Sequence, residues 1–159
     1  MNNITIKTPE DIELMRESGR LLAQTFKALD DFIQPGQTTM EINDFVEDYI
    51  VKTLESRPAS KGQYNYQYVL NSSLNEVVCH GVPSVGKKIK NGDILNIDIT
   101  LEKNGFIADS SKMYTIGDIN PAAKKLVDVT YQAMWKGIQQ VKAGAATGDI
   151  GHAIQKHAE

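Results

Sequence analysis

Residues 94–111, ILNIDITLEKNGFIADSS, constrain the fold more than any other stretch, because an Asn-Gly pair separates two strand-like runs. Asn104-Gly105 is the strongest short-range signal for a two-residue β-hairpin loop, since both residues tolerate the positive φ angles of a type I′ turn. With that loop, Lys103 lies opposite Phe106, and every other pair along the two strands follows from this one. The sequence therefore predicts a hairpin of defined register.

This register places two acidic residues on one face of the hairpin. Asp98 lies opposite Ser111 and Thr100 lies opposite Asp109, so these four side chains share a face with Asn96. Asp98 and Asp109 are then diagonal neighbours, with Cα atoms about 7–8 Å apart. A slip of one residue would turn Asp109 to the other side. The opposite face carries Leu95, Ile97, Ile99, Leu101 and Ala108.

Two carboxylates in adjacent strands need a physical reason, because Asp is a poor strand former and like charges on a half-buried sheet repel each other. Three arrangements satisfy the pattern. The face is solvated, or one carboxyl group stays protonated and hydrogen-bonds to the other, or divalent cations lie between the two. For cations, oxygen ligands alone suit magnesium, calcium or manganese, and an added imidazole admits zinc, iron or cobalt. The spacing of Asp98 and Asp109 alone leaves all three open.

The composition narrows the function classes. The chain has 159 residues, a net charge of -3 and 23% charged residues, which is typical of one globular domain and offers no basic surface for nucleic acid. Its apolar runs are too short to span a membrane, and the N-terminus has no apolar signal core. The single cysteine, Cys79, excludes an internal disulfide. A cytoplasmic location is the resulting expectation.

The remaining segments predict an α+β protein. Helix-capping and stop signals favour helices over about residues 9–33 and 39–54 before the hairpin, and over about 121–141 after it. Thr147 is predicted to cap a fourth helix that continues to the last residue without a stop signal. The segment EVVCHG, residues 76–81, is predicted to be a short strand. Helices, then strands, then helices indicate α+β architecture.

Tyr64, Tyr66 and Tyr68 alternate along residues 56–75, which predicts a strand with one aromatic face. That face fits either the hydrophobic core or a substrate pocket, and the residues alone do not decide between them.

Four segments together resemble the type I methionine aminopeptidases. They are TPEDIELMRESGR, SLNEVVCHGVP, NGDILNIDITLEKNGFIADSSKMYTIG and IGHAIQKHAE, which follow one another in the family's order along almost the whole chain. The motifs NEVVCHG-x-P and D-I-T…G-x-x-A-D-x-S-x-M are far more specific than a pair of carboxylates.

The resemblance implies a pita-bread fold, in which an antiparallel curved sheet carries helices on one face. Residues 1–159 would form a single catalytic-type domain, comprising the N-terminal half of this fold and the start of its second half. It further implies a site for two divalent ions (cobalt, manganese, iron or zinc) held by two Asp, one His and two Glu. Asp98 and Asp109 match the two aspartates, with Asp109 bridging the ions.

The resemblance also implies roles for other residues. His80 matches a substrate-facing histidine, and Tyr66 lies in the region of the methionine pocket. Thr100 matches a position that orients a metal ligand, and the backbone carbonyls of Asn75 and Val77 match a monovalent cation site of some members. The implied reaction removes the initiator methionine from nascent proteins whose second residue is small. The implied partners are those peptides and the ribosome, the complete protein being monomeric and having no direct contact with nucleic acid or membrane.

Length is the first departure from the family pattern. The family's ligand His and both ligand Glu follow the last residue of this chain, Glu159. We therefore expect the 159-residue chain alone to hydrolyse peptides poorly, and the uncovered face of its sheet to be largely apolar.

The second departure lies in the methionine pocket, where Gln63, Asn65 and Gln67 replace the expected residue types. Asn71 stands where cysteine is common, and a polar side chain there needs a hydrogen-bond partner. Two other hypotheses remain beside the enzyme: a non-catalytic pita-bread protein that binds a peptide or protein, and an unrelated α+β protein with a solvated acidic hairpin.

Overall fold

The computed structural model describes residues 4–159, which form two compact units. One unit extends as far as Gly117 and contains two long helices and a sheet; the other comprises Asp118–Glu159 and contains two helices. The prediction of a single domain over residues 1–159 stays a prediction.

Helix α1 spans Pro9–Phe32, as its capping signals predict. The Thr8 hydroxyl accepts a hydrogen bond from the Asp11 backbone N–H at 3.1 Å, and the Asp11 carboxylate accepts one from the Thr8 N–H at 2.9 Å. This reciprocal capping box satisfies two backbone donors that the first turn leaves without helical partners.

Helix α2 spans Thr39–Asp48 and starts from a second capping box, between Thr38 and Glu41. The predicted helix continues toward Leu54, but its last turn, Tyr49–Thr53, is a π-helix. The helical segment is thus confirmed, with wider winding at its end.

Four strands form an antiparallel sheet around a central strand. Strand β1 is Arg57–Pro58, β2 is Leu70–Leu74, β3 is Ile94–Lys103 and β4 is Phe106–Thr115. The full length of β3 pairs with β4 on one edge, while its other edge pairs with β1 near one end and with β2 near the other. This arrangement makes β3 the strand that positions its neighbours.

The β3–β4 hairpin has the predicted register. Lys103 pairs with Phe106, and the loop residues Asn104 and Gly105 have φ angles of 54° and 82°. Both are positive, as a type I′ turn requires. The prediction of the hairpin is confirmed pair by pair.

One face of the sheet packs against the helices to form the core. Leu95, Ile97, Ile99 and Leu101 of β3 are fully buried with apolar side chains of α1 and α2, including Leu29, Ile42 and Val46. Fully burying an aliphatic side chain of this size contributes about 1.5–3 kcal/mol. The other face of β3 carries half-exposed polar side chains.

The face of the sheet that the helices leave open is more polar than expected, since the sequence predicts a largely apolar surface there. Asn96, Asp98 and Thr100 occupy it on β3, and its exposed apolar side chains on β4 are Ile107 and Met113. The helices cover the apolar face of the sheet, because the alternation along β3 directs its aliphatic side chains toward them.

Two predicted strands are wrong. Residues 75–81 form a turn and an irregular loop, because β2 ends at Leu74 and Asn75 adopts a positive φ of 52°. Cys79 and His80 are therefore not alternating strand residues, and both are exposed.

The tyrosine-rich segment is not a strand either, because Gln63–Asn65 forms a 3₁₀ turn in which Tyr64 has a φ of 49°. The Tyr64 side chain is fully exposed, whereas Tyr66 and Tyr68 are half-buried. The predicted shared aromatic face is consequently reduced to two residues.

The second unit consists of α3, Pro121–Ile138, and α4, Thr147–Ala158. The Asn120 side chain caps α3 as predicted, accepting from the Ala123 N–H at 2.8 Å. The start of α4 differs: Ala146 is the N-cap, and its N–H donates to the Asp149 carboxylate at 2.8 Å, so Thr147 is the first helical residue. None of the helices in the described residues is long and apolar enough to cross a membrane.

Candidate metal centre

Asp98 and Asp109 lie on the same open face of the sheet. Asp98 pairs with Ser111, and Thr100 pairs with Asp109, which makes the two aspartates diagonal neighbours on adjacent strands. Their side chains point away from the helix-covered face, because the residues that alternate with them on β3 are fully buried. The hairpin loop alone therefore brings the two carboxyl groups together.

The electrostatics of the pair show that the carboxyl groups interact. Partial desolvation raises the pKa of Asp109 above its ordinary value, and the nearby Asp98 charge raises this pKa further. The Thr100 hydroxyl, opposite Asp109 on β3, acts in the other direction by favouring the ionised carboxylate. A nearby cation would stabilise the ionised Asp109 carboxylate, whose charge Asp98 disfavours.

Thr100 lies directly opposite Asp109 in the sheet. The resemblance placed Thr100 beside the first aspartate as an orienting residue, and the register puts it directly across the ladder from the second one. Its hydroxyl favours the ionised form of the Asp109 carboxyl group and so opposes the rise in that group's pKa.

Asn71 contacts Asp98, a relation that sequence reasoning missed. Asn71 of β2 is the direct cross-strand partner of Asp98, and its side-chain Nδ2 donates to Asp98 Oδ2 at 3.1 Å. The sequence required a polar partner for Asn71 but gave no sign of which one, because 19 residues separate Leu74 from Ile94 and leave the β2–β3 register undetermined. The partner that Asn71 needs is the candidate metal ligand.

Tyr66 lies within electrostatic range of Asp98. Its hydroxyl donates to the Leu70 backbone carbonyl at 2.9 Å, and its ring meets that of Tyr68 edge-on at 5.5 Å between centroids. Partial burial raises the pKa of Tyr66, and the neighbouring Tyr68 and Asp98 raise it further. Tyr66 is therefore a neutral, half-buried phenol beside the aspartate face.

His80 is held beside β2 by the glycine that follows it. The Gly81 carbonyl accepts from the Ser72 N–H at 2.7 Å, and the Gly81 N–H donates to the Ser73 hydroxyl at 3.1 Å. A Cβ at position 81 would lie 2.1 Å from the Ser72 carbonyl oxygen, so only glycine allows this approach. Across the sheet, the order is then the exposed His80 loop, Asn71 on β2, Asp98 on β3 and Asp109 on β4.

Asn75 and Val77 lie in the turn that follows β2. The Asn75 side chain donates to Asp93 at 2.9 Å and accepts from the Ile94 N–H at 3.0 Å, which fixes the turn to the start of β3. The Val77 N–H donates to the Leu74 carbonyl at 3.1 Å. Their assignment to a monovalent cation stays a prediction.

The chemistry of the available ligand atoms indicates how well Asp98 and Asp109 fit a divalent cation. Two carboxylates on one open face are suitable ligands for a hard cation, and their mutual repulsion favours one. Over residues 4–159, however, no three His, Cys, Asp or Glu side chains gather into a ligand group. The described residues therefore fit the metal as two of its ligands, Asp98 and Asp109.

Comparison with known proteins identifies the family. Residues 13–159 match metallopeptidase family M24. The chain belongs to this family. Membership excludes the hypothesis of an unrelated α+β protein with a solvated acidic hairpin.

Among the relatives of this M24 chain are the methionine aminopeptidases of Salmonella typhimurium, 44% identical over 156 residues, and of Escherichia coli, 41% identical over 156 residues. Each alignment covers 98% of this chain and 59% of the relative. The chain thus spans about three-fifths of the length of these curated relatives.

Solved structures of other proteins share the fold of this M24 chain. The methionine aminopeptidase of Rickettsia prowazekii superposes with a TM-score of 0.93 at 42% identity, and that of Thermotoga maritima with 0.91 at 36% identity. Each covers 97% of this chain, which covers 61% of each of them. An Xaa-Pro dipeptidase of Bacillus anthracis, at 21% identity and a TM-score of 0.82, shows the fold alone. The predicted α+β pita-bread architecture is confirmed for the part that these residues contain.

Proposed function

We propose that this M24 protein is a metal-dependent methionine aminopeptidase, which removes the N-terminal methionine of nascent proteins when the second residue is small. The observation that carries the proposal is the placement of Asp98 and Asp109 on one open face by the hairpin register. Its similarity to methionine aminopeptidases at 41–44% identity supports the substrate class.

Asp98 and Asp109 would hold two divalent cations between β3 and β4, of which manganese, cobalt, iron and zinc are candidates. When bound, such cations activate water as a nucleophile and polarise the carbonyl group that it attacks. The two aspartates hold the cations by charge, and the Thr100 hydroxyl orients the Asp109 carboxylate for this task.

Other residues of the chain would bind the peptide. The exposed His80 faces the substrate from the loop beside β2, where its imidazole donates a hydrogen bond to the peptide carbonyl during attack. Tyr66 contributes a half-buried aromatic surface to the pocket for the methionine side chain. We assign the backbone carbonyls of Asn75 and Val77 to a monovalent cation that stabilises the turn.

The proposal includes the context of the reaction. The substrates are N-terminal peptides of nascent proteins, and the enzyme acts in the cytoplasm near the ribosome. The complete protein is a monomer. Because the described residues supply two carboxylates and no third His, Cys, Asp or Glu ligand, the 159-residue chain alone should bind metal weakly and hydrolyse peptides poorly.

Titration with manganese tests the metal centre directly. Wild-type chain should bind Mn²⁺, seen as loss of the free-ion electron paramagnetic resonance signal, and Asp98→Asn and Asp109→Asn should each weaken binding at least tenfold. Asp31→Asn is the matched control, since Asp31 is an exposed carboxylate of α1, the helix that packs on the other face. Wild-type binding no stronger than that of the two variants would refute the metal centre.

A fusion tests the substrate. Residues 1–159 joined to the remaining two-fifths of the Salmonella typhimurium relative should release methionine from Met-Ala-Ser far faster than from Met-Leu-Ser. Asp109→Asn in the fusion should abolish release. Equal turnover by that variant would remove Asp109 from the mechanism.

The incomplete ligand group favours one alternative, a non-catalytic M24 protein that binds a peptide or protein partner. It predicts that the 159-residue chain itself binds Met-Ala-Ser, measured by calorimetry, and that Asp109→Asn leaves this affinity unchanged.

A further inference from the structure

Asn71 is a half-buried amide that the proposed reaction does not yet use. Its Nδ2 donates to Asp98 Oδ2 at 3.1 Å from the directly opposite position of β2. The contact joins a neutral side chain to a candidate metal ligand, so it bears on how that ligand is held.

The β2–β3 ladder holds this contact in place. The pairs on either side, Leu70 with Ile99 and Ser72 with Ile97, face the core, and all four of these residues are fully buried. The packing of these four residues fixes the register of β2 against β3. Asn71 is therefore held directly opposite Asp98.

The hydrogen bond restricts the Asp98 carboxylate before any cation arrives. An amide N–H bonded to Oδ2 limits rotation about the Cβ–Cγ bond and leaves the second oxygen, Oδ1, unbound by that amide. A ligand oriented in advance loses less conformational freedom when it binds a cation. Because the amide is neutral, it does this without repelling the cation as a lysine would.

The two aspartates thus have separate partners. Asp109 has Thr100 across the β3–β4 ladder, and Asp98 has Asn71 across the β2–β3 ladder. Asp98 accepts a hydrogen bond from the neutral Asn71 amide, whereas the neutral Thr100 hydroxyl favours the ionised form of Asp109 from the position opposite it. Removal of such a partner ordinarily costs about 10–100-fold in metal affinity.

We propose that Asn71 is a positioning residue that holds the Asp98 carboxylate ready for a divalent cation and thereby raises the metal affinity of the site. This inference rests on the metal centre of the proposed function. It assigns to β2 a part in a site whose two ligands lie on β3 and β4.

Asn71→Leu tests the proposal, because leucine has a similar size and no donor. The variant should bind Mn²⁺ about tenfold more weakly than wild type in the same resonance titration. Its metal-free melting temperature should stay close to that of wild type, since the lost hydrogen bond is partly exposed and leaves Asp98 accessible to water. The serine side chain of Asn71→Ser is shorter and reaches Asp98 less well, so this variant should also bind Mn²⁺ more weakly than wild type. It tests the proposal if Asn71→Leu fails to fold.

Asn96→Leu is the matched control. Asn96 lies on the same face two residues from Asp98, and its amide donates to Ser111 at 3.3 Å rather than to Asp98. Its manganese affinity should remain within twofold of wild type. A loss as large as that of Asn71→Leu would show that any amide on this face matters and would overturn the specific role of Asn71.

Nuclear magnetic resonance provides a readout that a purely structural role would not move. On titration with magnesium, which is diamagnetic and suits oxygen ligands, the Asn71 side-chain NH₂ signals should shift and saturate together with the Asp98 backbone signal. Stationary NH₂ signals would overturn the proposal.

The outcomes of the manganese titration distinguish failure of the role of Asn71 from failure of the metal centre itself. Equal manganese affinity of wild type and Asn71→Leu, with wild type binding, overturns the role of Asn71 and leaves the metal centre intact. Absence of binding by wild type overturns both.

Discussion

Asp109 shows at the residue scale how a candidate metal ligand opposes folding. Partial desolvation and the Asp98 charge raise its pKa in the folded chain. A carboxyl group whose folded pKa exceeds its unfolded pKa favours folding while protonated, and this contribution is lost as pH rises through the folded value. At neutral pH the ionised Asp109 therefore works against the metal-free fold.

Asp109→Asn should stabilise the metal-free chain at pH 7 while removing its response to manganese. The stabilising effect should shrink as pH falls toward the ordinary carboxyl pKa of 3.8, where wild-type Asp109 is protonated as well. Melting temperatures at pH 4.5 and pH 7, with and without Mn²⁺, measure both effects. In the control, Asp31→Asn, the change should stay within about 0.5 kcal/mol at either pH. A metal-free variant less stable than wild type at pH 7 contradicts the prediction.

Gly81→Ala should destabilise the first unit by about 1–3 kcal/mol, because the new Cβ would lie 2.1 Å from the Ser72 carbonyl oxygen and must displace backbone. Urea unfolding measures the loss. The matched control is Gly19→Ala in α1, where a Cβ has no neighbour within 4 Å and the helix should gain about 0.5–1 kcal/mol. Equal stability of Gly81→Ala and wild type would mean that the backbone of the His80 loop moves away from β2 without a cost in free energy.

At the scale of elements, a buried hydroxyl joins α1 to the hairpin that carries the aspartates. Ser18 is fully buried, and its Oγ lies 2.9 Å from the Phe106 carbonyl oxygen and 3.3 Å from that of Lys103. These carbonyls flank the two-residue loop. The helix thus contacts the hairpin at the point that defines its register.

Ser18→Ala should lower the free energy of unfolding by about 1 kcal/mol, since it removes the hydrogen bond that the buried Ser18 hydroxyl donates to the hairpin, at 2.9 Å from the Phe106 carbonyl oxygen. Urea unfolding provides the measurement. Thr130→Ala serves for comparison, because the exposed Thr130 hydroxyl bonds only to the Leu126 carbonyl of its own helix and should change stability by less than about 0.5 kcal/mol. Similar losses in both variants would argue against a special contribution of Ser18.

The elements predicted correctly from sequence are those whose determinants are local. Asn104-Gly105 sets the hairpin register within two residues, and the capping boxes at Thr8 and Thr38 set the helix starts within four. Asp98 and Asp109 were found for this reason, because their neighbourhood depends on the loop alone.

The elements predicted wrongly depend on distant partners. Residues 76–81 contain two adjacent β-branched valines, which favour a strand, yet Gly81 bonds to Ser72 of β2 and the segment lies along it as a loop. The Asn71–Asp98 hydrogen bond was not predictable either, because its register depends on the buried pairs that flank it. Tertiary packing decided both cases, as it often does for short β segments.

At the scale of the whole molecule, the two units differ in how much they bury. The first has a core of many fully buried aliphatic side chains, whereas the buried positions described within Asp118–Glu159 are Ala133 and Gly137. In this second unit α3 and α4 approach closely, since a Cβ at Gly137 would lie 2.8 Å from the Ile154 side chain. Close packing over so small a core provides little stability.

Backbone amides of α3 and α4 should therefore exchange with deuterium much faster than those of β3 and α1, by at least tenfold in rate. Exchange followed by mass spectrometry on the intact chain measures this difference for each segment. Comparable protection across Asp118–Glu159 and the first unit would show that the helical pair is stabilised by more than its own buried residues.

The two-residue loop between β3 and β4 has one consequence beyond this chain. The separation of the paired acids is encoded in only twelve consecutive positions, 98–109, and no distant segment is needed to bring them onto the same side. Such a stretch is portable: transplanted onto another antiparallel hairpin of matching twist, it should carry the spacing of its two carboxyl groups with it.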